Sequence, residues 1–257
     1  MKIRAFRGET VTLATTVAFP QTKGIPPGMN NLQVHAPSAT LENISLILTP
    51  KIVKLWYYDD SATTKYVDLT SALTDRNTST GTGSSLNSFA TADFIYFGCD
   101  NRFRGLSVDV TNTNGTASAA TVEYWNGTAW TSITVTDTTE SPGGTPLGQD
   151  GLLSWTVPTD WVRTSVNSEP RTLYWVRYKV SVALDATVSI VEVSTLANTV
   201  LNSADTNAEG YDYILLRSNN DTLIPFWFNF DSDKFGGVEL KSASITSTAN
   251  LTWYNTA

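Results

Sequence analysis

The sequence predicts an all-β protein: an antiparallel β-sandwich with an extended N-terminal arm and a smaller C-terminal β subdomain. Its 257 residues contain only 16% charged side chains, and the abundance of Thr, aromatic and β-branched residues favours strands over helices. Large rings recur at strand spacing between residues 121 and 178, which is typical of a sandwich core. Within this stretch the dipeptide Asn126-Gly127 predicts a tight hairpin.

The first 30 residues predict an extended arm that differs from the rest of the chain. Apolar and polar residues alternate between Glu9 and Phe19, which indicates one strand, and Pro26-Pro27-Gly28 then imposes a rigid bend. Such a strand either adds to the sheet of a neighbouring subunit or pairs with the edge of the chain's own sheet. The residues predicted to contact a partner are Lys2, Arg4, Arg7, Val11, Leu13, Val17 and Phe19.

Residues 31–195 predict the sandwich itself. Turn residues separate the apolar runs, as expected for short antiparallel strands. Residues 173–184 alternate large apolar side chains with charged ones, and therefore predict a half-buried strand with one face in water. The predicted strands lie near 31–34, 44–48, 52–58, 65–70, 93–97, 106–110, 121–133, 152–157, 173–184 and 188–193.

The hairpin at Asn126-Gly127 predicts a register as well as a turn. A two-residue loop would pair Trp125 with Thr128 and Glu123 with Trp130. Because side chains alternate across a strand, these four would share one face of the sheet, with Trp125 diagonal to Trp130.

Residues 196–257 predict the C-terminal subdomain. A polar link from residue 198 to 210 precedes four predicted strands, near 211–216, 225–230, 238–240 and 251–254. Four strands bury little apolar surface by themselves, so we expect this segment to pack on the sandwich. It either closes alone or completes a sheet with residues 31–58.

The charge distribution argues against a nucleic-acid partner. The net charge is −7; residues 1–58 carry six basic and two acidic side chains, a balance of +4, which leaves −11 for the remainder. Phosphate binding needs clustered Lys and Arg, whereas a basic leading segment suits an acidic protein surface or plain solvation. No apolar run has the roughly 18–20 residues needed to span a bilayer, and no signal-peptide core is present. We therefore expect a soluble protein with no membrane partner.

The sequence offers no catalytic constellation, and we expect neither an enzyme nor a cofactor. His35 is the single histidine, so a metal site or a catalytic triad has little to build on. Cys99 lies in a strand-like run and is expected to be a small buried hydrophobe. The pairs Asp59-Asp60 and Asp231-Ser-Asp233 lack the full calcium-loop pattern, and we interpret them as turns whose carboxylates accept backbone hydrogen bonds.

Two rings stand apart from the expected core. Most of the aromatic residues lie at alternating strand positions, which predicts packing between sheets. Trp130 and Trp161 lie beside turns instead, and exposed rings of this kind in a β-sandwich stack on sugars. They are the candidate glycan-binding residues, and a carbohydrate-binding module is one alternative function.

A series of short motifs then points to a family. The motifs are Phe94-Ile-Tyr-Phe-Gly98, Phe103-Arg-Gly-Leu106, Glu123-Tyr-Trp-Asn-Gly-Thr-Ala-Trp130, Asp150-Gly151, Trp155 through Pro158-Thr-Asp-Trp161, and Tyr174-Trp-Val-Arg177. Together they resemble modules of tailed-bacteriophage virion proteins over roughly residues 55–195. The resemblance implies a jelly-roll-like sandwich in a tail, baseplate, fibre or capsid-decorating protein, and it implies no catalytic residues.

From this resemblance we expect a non-enzymatic structural protein of a phage particle. The capsid exterior is the first expected position, as a decoration or cement protein, and the tail, baseplate or fibre is the alternative. The expected partners are the major capsid protein or other virion proteins and further copies of the chain. The expected location is the virion, assembled in the host cytoplasm.

Overall fold

A computed structural model confirms the all-β, antiparallel sandwich prediction. The structure describes residues 3–13, 21–24, 30–35, 42–75, 83–86, 89–197, 213–218, 226–229, 235–242 and 247–256, with side chains in 30–33, 47–75, 83–86, 89–197 and 235–239. Among these residues, no helix combines the length and apolar character that crossing a bilayer requires. Jelly-roll connectivity stays a prediction.

Strands account for almost all of the regular structure in these ranges. One short helix, α1, covers Thr70–Leu73. The described strands are β1 (Ile3–Leu13), β2 (Gln21–Gly24), β3 (Asn31–His35), β4 (Glu42–Pro50), β5 (Ile52–Tyr58), β6 (Tyr66–Asp68), β7 (Ser84–Ser85), β8 (Phe94–Cys99), β9 (Gly105–Asn112), β10 (Ala120–Trp125), β11 (Trp130–Ile133), β12 (Thr136–Asp137), β13 (Gly151–Ser154), β14 (Tyr174–Val180), β15 (Ser189–Leu196), β16 (Tyr213–Ser218), β17 (Phe226–Asn229), β18 (Phe235–Ser242) and β19 (Ser247–Thr256).

The chain divides into two compact units. One unit comprises Met1–Thr49 with Thr199–Ala257, and the other comprises Pro50–Asn198. The first unit holds two four-stranded sheets, in the orders β1-β19-β3-β17 and β16-β4-β18-β2. The C-terminal strands therefore complete sheets with strands from the first fifty residues. This division differs from the predicted boundaries at residues 30 and 195.

The predicted N-terminal strand pairs within its own chain. Strand β1 runs antiparallel to β19, from Ile3 opposite Thr256 to Leu13 opposite Ser247. This is one of the two pairings that the sequence left open. The predicted contact residues Arg4, Arg7, Val11 and Leu13 belong to β1, whereas Lys2, Val17 and Phe19 lie outside the described residues.

The second unit is a two-layered sandwich. A six-stranded sheet has the order β11-β10-β14-β8-β5-β6, and a five-stranded sheet has the order β12-β13-β9-β15-β7. One apolar cluster takes side chains from both sheets, for example Phe97 and Tyr178 from the first and Leu106 and Leu153 from the second. Strand alternation explains this, because every second residue of each strand points into the space between the layers.

The buried rings of this core have their polar atoms satisfied. The indole N–H of Trp155 donates to the Phe103 carbonyl at 3.0 Å, and that of Trp161 donates to the Trp175 carbonyl at 3.1 Å. Such bonds remove the penalty of burying a polar indole. Cys99 is fully buried in the same core, which confirms its prediction as a small hydrophobe, and burial raises the pKa of its thiol well above the ordinary value.

The predicted hairpin forms, but its predicted register is wrong because the loop is two residues longer than expected. Trp125 lies directly opposite Trp130, so the connection holds four residues instead of two. The side chain of Asn126 explains the longer loop, because its Oδ1 accepts hydrogen bonds from the backbone N–H groups of Thr128 and Ala129 at 2.9 and 2.8 Å. Gly127 provides the left-handed backbone, with φ of 100°.

Candidate functional site

The outer face of the six-stranded sheet is the face turned away from the main core. On this side, a single row of register partners crosses all six strands, from β6 at one edge of the sheet to β11 at the other. Its members are Asp68, Trp56, Tyr96, Arg177, Glu123 and Ser132. The row holds three charged residues, two aromatic residues and one serine, so this face is chemically unlike the apolar face behind it.

Aromatic rings form a connected series along this face. Ring centroids lie 4.9 Å apart for Tyr58 and Tyr66, 6.2 Å for Tyr66 and Tyr96, 5.6 Å for Tyr96 and Trp130, and 5.7 Å for Trp130 and Trp125. These separations are in the range where aromatic pairs attract. Tyr96 is buried, but the other four rings are only half-buried. We call these five residues the outer ring series.

A buried carboxylate holds the charges of this face in place. Glu123 accepts hydrogen bonds from Arg177 Nε and Lys179 Nζ, each at 2.6 Å. Burial raises the pKa of the Glu123 carboxyl, but the bonds from Lys179 and Arg177 outweigh burial and leave the pKa below its ordinary value. The guanidinium of Arg177 also lies over the rings of Phe94 and Trp130, at 4.3 and 4.7 Å from their centroids.

A loop of residues 162–173, which we call the covering loop, lies over part of the outer face. It encloses Trp175, whose side chain is fully buried and whose indole N–H donates to the Thr164 carbonyl at 2.9 Å. Gly98 makes room for this ring, because a Cβ there would come within 2.8 Å of it. Thr164 and Leu173 exchange two backbone hydrogen bonds of 2.9 Å, which close the base of the loop.

A pocket of about 270 Å³ opens between the outer ring series and the covering loop. Asn167 and Ser168 lie at the tip of the loop in the left-handed conformation, with φ of 51° and 57°. Aromatic rings line the sheet side of the pocket, and three polar residues together with Val166 line the loop side. The lining residues are Tyr66, Tyr96, Trp125, Trp130, Thr164, Ser165, Val166 and Asn167.

The structure separates the two predicted glycan-binding rings. Trp130 lines the pocket, in agreement with its proposed exposure. Trp161 has no exposed surface, so its predicted exposure is wrong. Although it follows a turn, its ring points into the main core, where its centroid lies 5.2 Å from that of Phe103 and 5.8 Å from that of Tyr174.

Sequence patterns do not reveal most of the pocket. The positions of Trp125, Tyr66 and Tyr96 on strands predict core rings, and no sequence pattern distinguishes Asn167. Strand alternation did carry a signal, because it placed Trp125 and Trp130 on one face together with the charged Glu123. A ring that shares a face with a charged residue is a better candidate for exposure than a ring that merely lies beside a turn.

The acidic pair that the structure describes has protein partners. Asp59 Oδ1 accepts hydrogen bonds from the backbone N–H groups of Ser61 and Ala62, at 2.9 and 3.2 Å, and Asp60 forms an ion pair with Lys65 at 2.7 Å. The contacts of Asp59 are the turn contacts expected from the sequence, whereas the Asp60 carboxylate binds side chains instead. Asp231 and Asp233 lie outside the described residues. Within the described ranges, no three metal-binding side chains lie together.

His35 is the last residue of β3, where its backbone lies opposite Asn250 of β19. Its position belongs to the first compact unit, whereas the pocket residues all belong to the second. The pocket is therefore assembled without the chain's single histidine.

Comparisons with known proteins give no family for this chain. No protein-family model matches it, and no curated protein matches it. The function is therefore inferred from the residues of the chain itself.

Proposed function

We propose that this chain is a non-enzymatic structural protein of a tailed-phage virion. The location that we propose first is the capsid exterior. There the chain would act as a decoration or cement protein that binds the capsid and neighbouring subunits through sandwich surfaces and its N-terminal strand. One observation carries the proposal: the motifs that resemble phage virion modules all lie in the Pro50–Asn198 unit, which is the two-layered sandwich.

The contacts of these motifs support a framework role. The Phe103 ring packs on Trp155 at 5.6 Å and on Trp161 at 5.2 Å, which joins two motifs in one cluster. Asp150 accepts a hydrogen bond from the Val110 backbone N–H at 2.7 Å. Gly151 is required beside it, because a Cβ there would lie 2.4 Å from the Thr138 carbonyl oxygen. Each motif thus has a packing or hydrogen-bonding reason to recur in such a module.

The carboxylates near the sandwich are engaged in holding the fold. Asp93 is buried and accepts hydrogen bonds from the backbone N–H groups of Ala90 and Asp60, at 2.7 and 2.9 Å. Asp68 binds Lys54 at 2.6 Å, and Glu123 binds two cations. A carboxylate committed to such partners contributes to structure, which supports a binding role over a bond-breaking one.

The N-terminal strand offers a route to neighbouring subunits. As far as the described residues extend, β1 ends the order of its four-stranded sheet, with β19 as its paired neighbour. The unpaired N–H and C=O groups of such an edge strand can accept a strand from another chain. An arm tied to its own sheet can therefore still contribute a contact to a symmetric assembly.

Immunogold electron microscopy of purified phage particles, with antibodies raised against the full chain, tests the proposal. We expect label on the capsid exterior at many symmetric copies. Label confined to the tail, baseplate or fibre would overturn the capsid position in favour of the alternative. Particles without label, together with the absence of the chain's peptides from their mass spectra, would overturn the virion proposal.

A further inference from the structure

We propose that the pocket between the outer ring series and the covering loop is a binding site for a neutral saccharide. The inference goes beyond the structural role proposed above and does not depend on where the chain lies in a particle. It rests on three properties of the pocket: a ring available for stacking, polar groups free for hydrogen bonding, and charges that are already paired.

Trp125 is a ring available to a ligand, and unlike Trp130 it has no cation lying over it among the described residues. Its side chain is half-buried, and Trp130, at 5.7 Å, is its ring neighbour. Within the part of the chain that the structure describes, its indole N–H has no hydrogen-bond partner. A sugar ring presents C–H groups on its faces and hydroxyls around its edge, so a flat indole with a free N–H matches both.

The covering loop supplies the polar side of the pocket. The amide of Asn167 and the hydroxyl of Thr164 have no side-chain hydrogen bond to any described residue. The Ser165 hydroxyl donates to the Glu169 carbonyl at 2.6 Å, which leaves its oxygen able to accept. Sugar hydroxyls donate and accept hydrogen bonds, and amide and hydroxyl groups do the same.

The charges around the pocket favour a neutral ligand. Aromatic rings usually attract a cationic ligand. Here Arg177 already lies over the Trp130 ring, and Lys179 lies nearby on the same strand, so their positive charges would repel such a ligand. An anionic ligand would have to compete with Glu123, which both cations already bind. A neutral ligand disturbs neither arrangement.

The size and rigidity of the pocket also fit a saccharide. Its volume of about 270 Å³ is just below the range of about 300–1,000 Å³ that holds drug-sized molecules, and this suits one or two sugar units. The backbone bonds between Thr164 and Leu173, and the bond from Trp175 to the Thr164 carbonyl, hold the loop in place before a ligand arrives. A preformed site loses less affinity to ordering.

A glycan array that displays neutral and acidic oligosaccharides, probed with the full chain, provides the first test. The strongest neutral ligand is then titrated against the chain by intrinsic fluorescence. We expect Trp125→Ala to weaken binding by about tenfold or more, which is the usual loss of an anchoring ring. Trp125→Phe retains a ring and should restore much of the affinity.

The polar side of the pocket has a matched pair of variants. Asn167→Ala should weaken binding by about threefold or more, as expected for the loss of hydrogen bonds to the ligand. Asn101→Ala removes a similarly exposed loop amide that does not line the pocket, and it should bind like the wild type. Because Asn167 has a left-handed φ of 51°, Asn167→Gly is the companion variant: glycine adopts this φ without strain, and it should weaken binding as much as Asn167→Ala does.

Either of two results would overturn the inference. One is the absence of binding to any neutral glycan up to about 1 mM, the weak limit of specific recognition. The other is binding that Trp125→Ala and Asn167→Ala both leave unchanged. Binding to acidic glycans alone would refute the neutral class. None of these results bears on the immunogold experiment, so the two proposals fail separately.

Discussion

The two faces of the six-stranded sheet use aromatic residues in different ways. On the inner face, rings such as Tyr178 are packed in the apolar core. On the outer face, rings such as Trp125 and Trp130 lie beside Arg177, Glu123 and Lys179 and remain half-buried. The same strands form both faces, because successive residues of a strand point to opposite sides of the sheet.

This difference teaches that aromatic content alone does not identify a core. A ring on the inner face gains from complete removal from water, and its N–H must find a partner in the protein. A ring on the outer face is held by neighbouring rings and by cations lying over it, which are contacts that survive partial exposure to water. The outer face is thus stable while it stays open to a ligand.

The largest expected effect is the loss of an inner ring. Trp161→Ala should lower the free energy of unfolding by about 3–5 kcal/mol, because it leaves a large cavity and removes a buried hydrogen-bond donor. Trp125→Ala on the outer face should cost about 1 kcal/mol, since a half-exposed ring loses mainly its contact with Trp130. Urea unfolding of the full chain, followed by fluorescence, measures both, because six of the eight tryptophans lie in residues 50–198. Equal costs for the two variants would contradict the distinction between the faces.

An intermediate effect is expected from the charges of the outer face. Glu123→Gln should cost about 1–3 kcal/mol at neutral pH, because it removes the negative partner of Arg177 and Lys179. The pKa of Glu123 is lower in the folded chain than in the unfolded chain, so the unfolded chain takes up the proton first as the pH falls. The contribution is therefore complete above the ordinary pKa of about 4.3 and is lost as the pH falls through the lower folded value.

Stability curves between neutral and acidic pH test this linkage. The difference between the wild type and Glu123→Gln should shrink as the pH falls below about 4.3. Glu140→Gln provides the control, because Glu140 is exposed and should leave the curve of the wild type unchanged. A difference that stays constant down to the acid transition would show that the Glu123 carboxylate does not supply the stability.

A smaller effect is expected at the hairpin that carries two outer rings. Gly127 has φ of 100°, and a Cβ there would meet Val162 at an ordinary distance of 3.5 Å. Gly127→Ala should therefore cost about 1 kcal/mol through backbone strain alone, and it should weaken binding in the pocket by displacing Trp125 and Trp130. Unfolding and glycan titration measure the two consequences.

Gly143→Ala is the matched control for this variant. Gly143 has φ of 105° in another loop and no atom within 4 Å of the Cβ position. It should cost similar stability and leave binding unchanged. If both variants weaken binding equally, the hairpin has no special part in the pocket.

The fold class was predictable because period-two alternation and turn residues are local signals. Strand β14 shows this, because Tyr178 and Val180 enter the core and Arg177 and Lys179 face outward, as alternation predicts. Trp175 is the exception, since it lies on the outer face and is nevertheless fully buried. Its burial depends on Gly98, which is distant in sequence, and on the path of the covering loop, which strand alternation does not reveal.

The candidate site was harder to predict for the same reason. The hairpin register depended on whether Asn126 would use its side chain to lengthen the turn, which the dipeptide alone does not reveal. The side chain of Trp161 points into the core because it contacts the rings of Phe103 and Tyr174, and a pattern of neighbouring residues does not reveal those contacts. Local patterns identify which residues share a face, but the placement of loops decides which face stays open.

Hydroxyl-radical footprinting of the full chain, with mass-spectrometric identification of the oxidised residues, tests the central claim most directly. If the inner face of the sheet is sealed and the outer pocket is open, Trp125 and Trp130 will be oxidised rapidly while Trp155 and Trp161 are protected. Trp175, on the outer face beneath the covering loop, should also be protected. Oxidation of Trp161 as fast as that of Trp125 would contradict the separation of the two faces, and with it the pocket.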